Sequence, residues 1–280
     1  MFKDVALGCV SLFLLVPAPA SCEETRAELS SAQVQVVRSQ GRTIARSRNF
    51  EIISTVSHLD LRQLAKECEQ HRSRLLEDWL NADADIAWSP RCVIEVHRDR
   101  SLYGAVLGAG AGSSVGCTTI RVRSGRIAER RIDLRADADQ WQHDALPHEL
   151  THVVLADRFG NRPLPLWADE GMGVLAESER KQEIRSSAAR DVERRSRDVS
   201  VAELLYDSSL PGSSRRDAFY SRSAELVNFL VSRHDGATFV NFLDDVKRRG
   251  YELALRDHYD IPNVGQLQRL WSEREVVAFE

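Results

Sequence analysis

The apolar residues of this chain change their period near Trp141, and that change limits the folds open to it. In the first half they mostly alternate: Val34, Val36, Ile44, Phe50, Ile52 and Val56 fall at largely even spacing, with Gly41 available for a turn. Such a period of two marks half-buried strands, here two or three of them. Leu59 to Leu80 breaks the pattern with a helical stripe of Leu61, Leu64, Ala65, Cys68, Leu75, Leu76 and Trp79. Alternation returns from Arg91 to His97, and Val115–Val122 and Arg126–Leu134 read as two further strands with Ser124-Gly125 as their turn. Beyond Trp141 the strand signal nearly disappears. Helical spacing runs through Ala145–Phe159, Ala168 to about Arg190, Asp217–Arg233, Ala237–Arg249 and Val264–Trp271. Strands first and helices later predict an α+β fold: an N-terminal mixed β-sheet subdomain over 21–140, carrying one long helix, then a helical subdomain over 141–280.

Composition narrows the functional classes. The 280 residues are 42% hydrophobic and 29% charged, enough to bury a core. A formal charge of −4 and a pI near 6.1 give no bulk electrostatic reason to expect nucleic acid, whose binding domains usually carry a basic surface. Only Lys3, Lys66, Lys181 and Lys247 are lysines; the other basic residues are arginines, a compositional bias and not a binding code. The arginine-dense stretch Arg180–Arg197 is interleaved with Glu183, Asp191 and Glu193, as expected of a solvated helical face. Gly104–Gly116 lacks the Gly-Lys-Ser/Thr ending of a phosphate loop and reads as a loop leading into the strand at Val115.

Residues 1–20 have the order of a secretory signal peptide: Lys3, an apolar run from Val5 to Val16, then Pro17-Ala18-Pro19-Ala20, with the cut expected after Ala20. The run is shorter than the ~20 apolar residues that a bilayer span needs, and no later stretch supplies one. The expected destination is periplasmic or extracellular. A lipid anchor at Cys22 is the lesser alternative, since Pro19 stands where a bacterial lipobox usually has Leu. Cleavage leaves Cys22, Cys68, Cys92 and Cys117, an even number in an exported chain. Cys92 and Cys117 lie in strand segments that could pair, and theirs is the preferred bridge, against buried free thiols. No CxxC spacing supports a cysteine-bound metal or a redox pair.

The chemistry is concentrated in His148-Glu149-Leu150-Thr151-His152. Residues four apart share one helix face, so both imidazoles can reach one ion while Glu149 turns aside towards a water. Asp144 fits an N-cap and Pro147 the first turn, where its missing N–H costs nothing. An HExxH alone can arise by chance. Glu170, at the start of the following helix, completes the His₂Glu set that holds catalytic zinc and leaves one position for water.

With these residues in place the chain resembles the gluzincins, most closely the secreted peptidase MA-like families. The resemblance rests on Pro147-His148-Glu149-Leu150-Thr151-His152-Val153-Val154 and Trp167-Ala168-Asp169-Glu170-Gly171, and more weakly on Phe219–Leu230. It implies a zincin-like fold, a sheet subdomain over a helical one, and a zinc metallopeptidase in which His148, His152 and Glu170 hold Zn²⁺ and Glu149 is the general base. The Gly-x-Met-Glu-Asn motif of gluzincin aminopeptidases has no counterpart here, which points to an endopeptidase acting on peptide or protein substrates. The resemblance also implies an oxyanion donor from the helical subdomain, with Tyr220 first, then Tyr206 and His234. It further implies that the strand Val115–Val122 could pair with an extended peptide. Asp169 or Asp157 could orient a metal-bound histidine. Gly171 and Gly173 either let the ligand helices approach closely or loosen the second of them. His97, His143, His234 and His258 are expected to be ordinary core or surface histidines. Two rival readings remain: a non-catalytic zincin-fold domain that binds through its cleft, and a structural secreted protein with a chance motif.

Overall fold

The structure, a computed structural model, describes residues 33–108, 114–160, 162–195 and 199–277. The signal segment and Cys22 lie outside the described residues. The chain is mixed α/β, and it divides into two units: residues up to His71 with Asp85–Trp141, and Arg72–Ala84 with the chain from Gln142 onward. No helix among the described residues is long and apolar enough to cross a membrane.

The first unit is built on a six-stranded sheet. Strands β1 (Gln35–Ser39), β2 (Arg42–Arg46) and β3 (Phe50–Ser54) form an antiparallel meander. Helix α1 (Leu61–Leu75) then carries the chain over to β4 (Cys92–His97), which runs parallel to β3. Parallel neighbours need such a crossover because a tight turn can join only antiparallel ones. Helix α2 (Arg100–Leu107) follows, then β5 (Gly116–Arg123) and β6 (Arg126–Arg135), an antiparallel pair. The sheet order is β1-β2-β3-β4-β6-β5, which among the described residues leaves β1 and β5 at the edges. Both two-residue hairpins, Gln40-Gly41 and Ser124-Gly125, have positive φ at each central residue, the turn whose twist matches that of its flanking strands.

Alternation on β3 and β4 sends Phe50, Ile52, Cys92, Ile94 and Val96 into the core with Ile132 and Leu134 of β6, while α1 contributes Leu61, Leu64, Ala65 and Cys68. Glu69 of α1 holds the bend before β3 by accepting from Ser47 Oγ (2.7 Å), Asn49 N (2.8 Å) and Asn49 Nδ2 (2.6 Å).

Two readings of the sequence are corrected here. The Gly104–Gly116 stretch is not loop throughout, since Gly104 lies inside α2, whose start is capped by Asp99 accepting from the backbone N–H groups of Ser101 and Leu102. Cys92 and Cys117 form no bridge, and among the described residues neither they nor Cys68 enter a disulfide. Strand β6 lies between β4 and β5, with Cys92 opposite Arg130 and Cys117 opposite Asp133. Two strand spacings of about 4.8 Å each already exceed the ~7 Å between Cα atoms that a disulfide tolerates. The thiol near Cys92 is Cys68, and burial followed by that neighbour pushes Cys68 well above the ordinary thiol range.

The second unit is helical. Arg72–Ala84 supplies a π-helical turn at Leu76–Leu80. The remaining helices are α3 (Ala145–Phe159), α4 (Leu166–Leu175), α5 (Glu179–Arg195), α6 (Val201–Tyr206), α7 (Ser213–Val231), α8 (Gly236–Arg249), α9 (Tyr251–Tyr259) and α10 (Val264–Val277). Helix α3 is buried on almost every side through Leu146, Leu150, Val153, Val154, Leu155 and Phe159. Trp167 of α4, fully buried, donates to Tyr251 Oη at 2.9 Å, and that hydroxyl donates to the Leu205 carbonyl at 3.0 Å. A Cβ on Gly171 would come within 2.7 Å of the Ser223 carbonyl oxygen and of Val227, so glycine there permits the close approach of α4 to α7.

The single helix expected over Ala168–Arg190 is two. The first ends at Leu175, and Ser178 caps the second: its Oγ accepts from Lys181 N (3.2 Å), its N–H reaches the His143 carbonyl (3.1 Å) and its Oγ donates to Asp144 (2.5 Å). Asp144 stands at the N-cap position of α3 but spends its side chain on Ser178 and caps no backbone N–H of its own helix.

Candidate metal centre

All residues of the HExxH…E set lie in the helical unit. Helix α3 carries His148 and His152 one turn apart, their rings edge to face with centroids 5.0 Å apart. Helix α4 presents two successive carboxylates to them. Asp169 lies 2.9 Å from His152 Nδ1, and Glu170 lies 3.3 Å from His148 Nε2. The break after α4, tied by Ser178 to the start of α3, turns Glu177 back onto His148, whose Nδ1 is 2.9 Å from Glu177 Oε1. Both Nδ1 atoms are thereby engaged by carboxylates, and both Nε2 atoms are left to face an ion, as metal-bound histidines require.

Potential ligand atoms of His148, His152 and Glu170 all lie within 4.8 Å of one another. An ion with bonds of about 2.0–2.1 Å in tetrahedral array spaces its ligand atoms about 3.3 Å apart, and His148 Nε2 to Glu170 Oε2 is 3.3 Å. Two imidazoles and a carboxylate at this spacing could hold a metal ion, and they are of the ligand types that zinc takes. The His148 and His152 side chains are 11% and 17% exposed and Glu170 16%, so the cluster is recessed yet reachable.

Electrostatics point the same way. Burial opposes charge on both imidazoles, but Glu170 and Glu177 push His148 up to about 10, and Asp169 pushes His152 up to about 9. The neighbouring carboxylates thus favour positive charge at both imidazoles. Burial resists ionisation of Glu177 too, but His148 and Arg185 hold it below the usual carboxylate range. Glu149 is buried on α3, and its charge is felt by both His148 and Tyr220.

Tyr220 of α7 stands beside this group, its ring edge to face with His148 at 6.5 Å. Burial, then Glu170, raises its phenol well above the ordinary value, so it keeps its proton and can donate. The other two donor candidates are engaged elsewhere: the exposed Tyr206 packs on Tyr251 and His234 on Tyr259. Of the two aspartates weighed as orienting groups, Asp169 takes the role at His152. A Cβ on Gly173 would fall 2.8 Å from Cε1 and Nε2 of His148, so glycine there makes room for the imidazole.

Two participants escaped the reading of the sequence. Glu177 is 29 residues from His148, beyond the rest of α3, the whole of α4 and a helix break, and Arg185 lies in a stretch whose charge density suggests a solvated face. Its side chain is only 12% exposed, in a two-pronged pair with Glu177 at 2.7 and 2.8 Å. Ser178 ahead of Glu179 is a legible N-cap signal that would have revealed the break.

A second cluster, Glu95, His97 and Asp133, also brings potential ligands together in the sheet unit. Arg131 already donates to Glu95 and to Asp133 at 2.6 Å, and His97 Nε2 is 2.7 Å from Asp133, so the group is a satisfied ion-pair network, with His97 a core histidine. Among protein-family models and curated proteins, nothing matches this sequence.

Proposed function

We propose that this chain is an exported zinc-dependent metallopeptidase of the gluzincin, peptidase MA-like kind, acting as an endopeptidase. The observation that carries this reading is the convergence of His148, His152 and Glu170 at ligand spacing, with Glu149 on the same helix turn and both Nδ1 atoms held by carboxylates. Zn²⁺ held by those three side chains would supply Lewis-acid polarisation of a scissile carbonyl and acidify a water near neutral pH. Glu149 takes the proton of the attacking water and delivers it to the leaving amine. Tyr220, kept protonated by burial, donates to the oxygen on which negative charge develops. Asp169 and Glu177 keep each imidazole in the orientation that leaves Nε2 for the ion. Strand β5 is an edge of its sheet and so meets the first requirement for pairing with an extended peptide. Export rests on Lys3, the apolar run Val5–Val16 and Ala18/Ala20.

The test is digestion of a peptide library by zinc-loaded protein beside Glu149→Gln. The variant should retain about one zinc per chain and lose hydrolysis. A wild type that binds zinc but cleaves nothing would replace this reading with that of a binding domain, and loss of no zinc in His148→Ala would reduce the motif to coincidence.

A further inference from the structure

Arg185 makes more contacts than an ion pair between two helices requires. It leaves the second turn of α5, and its Nε and Nη2 lie 2.7 and 2.8 Å from the two oxygens of Glu177. Nη1 donates to Asp217 of α7 at 3.0 Å, and the guanidinium plane lies over the Tyr220 ring with Cζ 4.6 Å from its centroid. Glu177 in turn takes the Nδ1 of His148 at 2.9 Å, and the Tyr220 ring meets the His148 ring edge on. The four side chains close a circuit: His148 to Glu177, Glu177 to Arg185, Arg185 to Tyr220, and Tyr220 back to His148. One planar cation thus fixes a carboxylate by its edge and an aromatic ring by its face, two contacts that an ammonium cannot make together.

The geometry points to Arg185 as a positioning residue that sets the metal-facing imidazole of His148 and the phenol of Tyr220 at the same time. Its hold on Tyr220 bears on catalysis only if the hydrolase reading is right; its hold on His148 does not depend on that reading. Neither function needs Arg185 to touch zinc or substrate. A residue that merely fastened α5 to α7 would be different, because that task is shared by the Ser186–Ser221 hydroxyl contact at 3.3 Å and would leave the His148 ring alone.

The experiment uses the full chain with Arg185→Lys, Glu177→Gln and their double variant, and Arg185→Gln as a second substitution should the lysine variant fail to fold. Zinc affinity is read by competition with a chromophoric chelator, and folding by urea denaturation. Losing a partner that orients a metal ligand costs about 10–100-fold in affinity. Arg185→Lys should therefore weaken zinc at least about tenfold, and the double variant should be no weaker than Glu177→Gln alone, since both act through one path. Zinc binding as tight as wild type in a folded Arg185 variant, with only the denaturation midpoint lowered, overturns the proposal. For the second arm, Arg185→Lys in zinc-saturated protein should lower kcat with KM little changed, and should lower it by a smaller factor in a Tyr220→Phe background, where only the path through His148 remains. Equal losses in both backgrounds overturn the link to Tyr220. A wild type that binds zinc but hydrolyses nothing overturns the hydrolase reading and that link together, while the affinity arm still decides the hold on His148.

Discussion

Gly173→Ala isolates the space that His148 occupies. The added Cβ would stand 2.8 Å from Cε1 and Nε2 and 3.0 Å from Nδ1, whereas ordinary contact begins at 3.4 Å. The ring must therefore retreat by about 0.6 Å, and it has little room to do so. Its Nδ1 is held by Glu177, which Arg185 grips in turn, and the His152 ring lies at 5.0 Å on another side. Metal–ligand distances tolerate about 0.2 Å, so displacement of Nε2 by several times that should cost zinc affinity at least tenfold, or about 1.4 kcal/mol. The metal-free fold should suffer less: overpacking costs about 1–3 kcal/mol, and exchanging glycine for alanine inside a helix returns about 1 kcal/mol. Gly104→Ala in α2, where a Cβ meets nothing within 4 Å, is the control and should gain about 0.5–1 kcal/mol without affecting zinc. Chelator competition gives the affinity and urea denaturation of the metal-free protein the stability. Zinc bound by Gly173→Ala as tightly as by wild type would refute the placement of His148 Nε2 towards the ion.

Other expectations are independent of that one. Folded-state values of about 10 and 9 for His148 and His152 lie above their unfolded value of 6.5. Their contribution to metal-free stability is thus fully present below pH 6.5 and lost as pH rises through 9 to 10, whereas zinc, which must displace those protons, binds more tightly as pH rises. Denaturation midpoints across that window, with and without zinc, should diverge, and parallel curves would contradict the assignment. Tyr220→Phe should lower kcat by about 10²–10³-fold while zinc stays bound, and an unchanged kcat would remove the phenol from the mechanism. Cys68 and Cys92, buried and with raised pKa values, should resist alkylation in the native protein and react on unfolding; prompt native labelling of either, located by peptide mapping, would contradict their burial.

Local pattern carried far along this chain, and long-range pairing did not. Alternation located β4 and the β5–β6 hairpin within a residue or two because each strand buries one face, and it marked Gln33–Val56 as strand without fixing the limits of β1, β2 and β3; Gly41 and Gly125 marked turns that need positive φ. Helix α3 was legible to the residue, since its motif and its apolar positions share one period. Strand order was not, because nothing in β4 or β5 records that β6 comes between them, and the expected Cys92–Cys117 bridge failed for that reason. Of the site, His148, Glu149, His152 and Glu170 follow from spacing on two helices. Glu177 and Arg185 do not, because their partners lie across a helix break. Charge density placed Arg185 on a solvated face, whereas its burial depends on a carboxylate and an aromatic ring brought from other segments.

The segment Arg72–Ala84 makes the order of the gene and the order of the packing disagree. It is encoded inside the sheet-forming half, yet it packs with the helical one, where Trp79 meets the Phe239 ring at 6.2 Å and the Asp78 carbonyl seats Gly236 so closely that no Cβ fits between them. A fragment started at Gln142 would keep every proposed zinc ligand but leave the floor under α8 unfilled. Cutting the chain where its period changes would therefore separate the sequence into halves that the fold itself does not recognise.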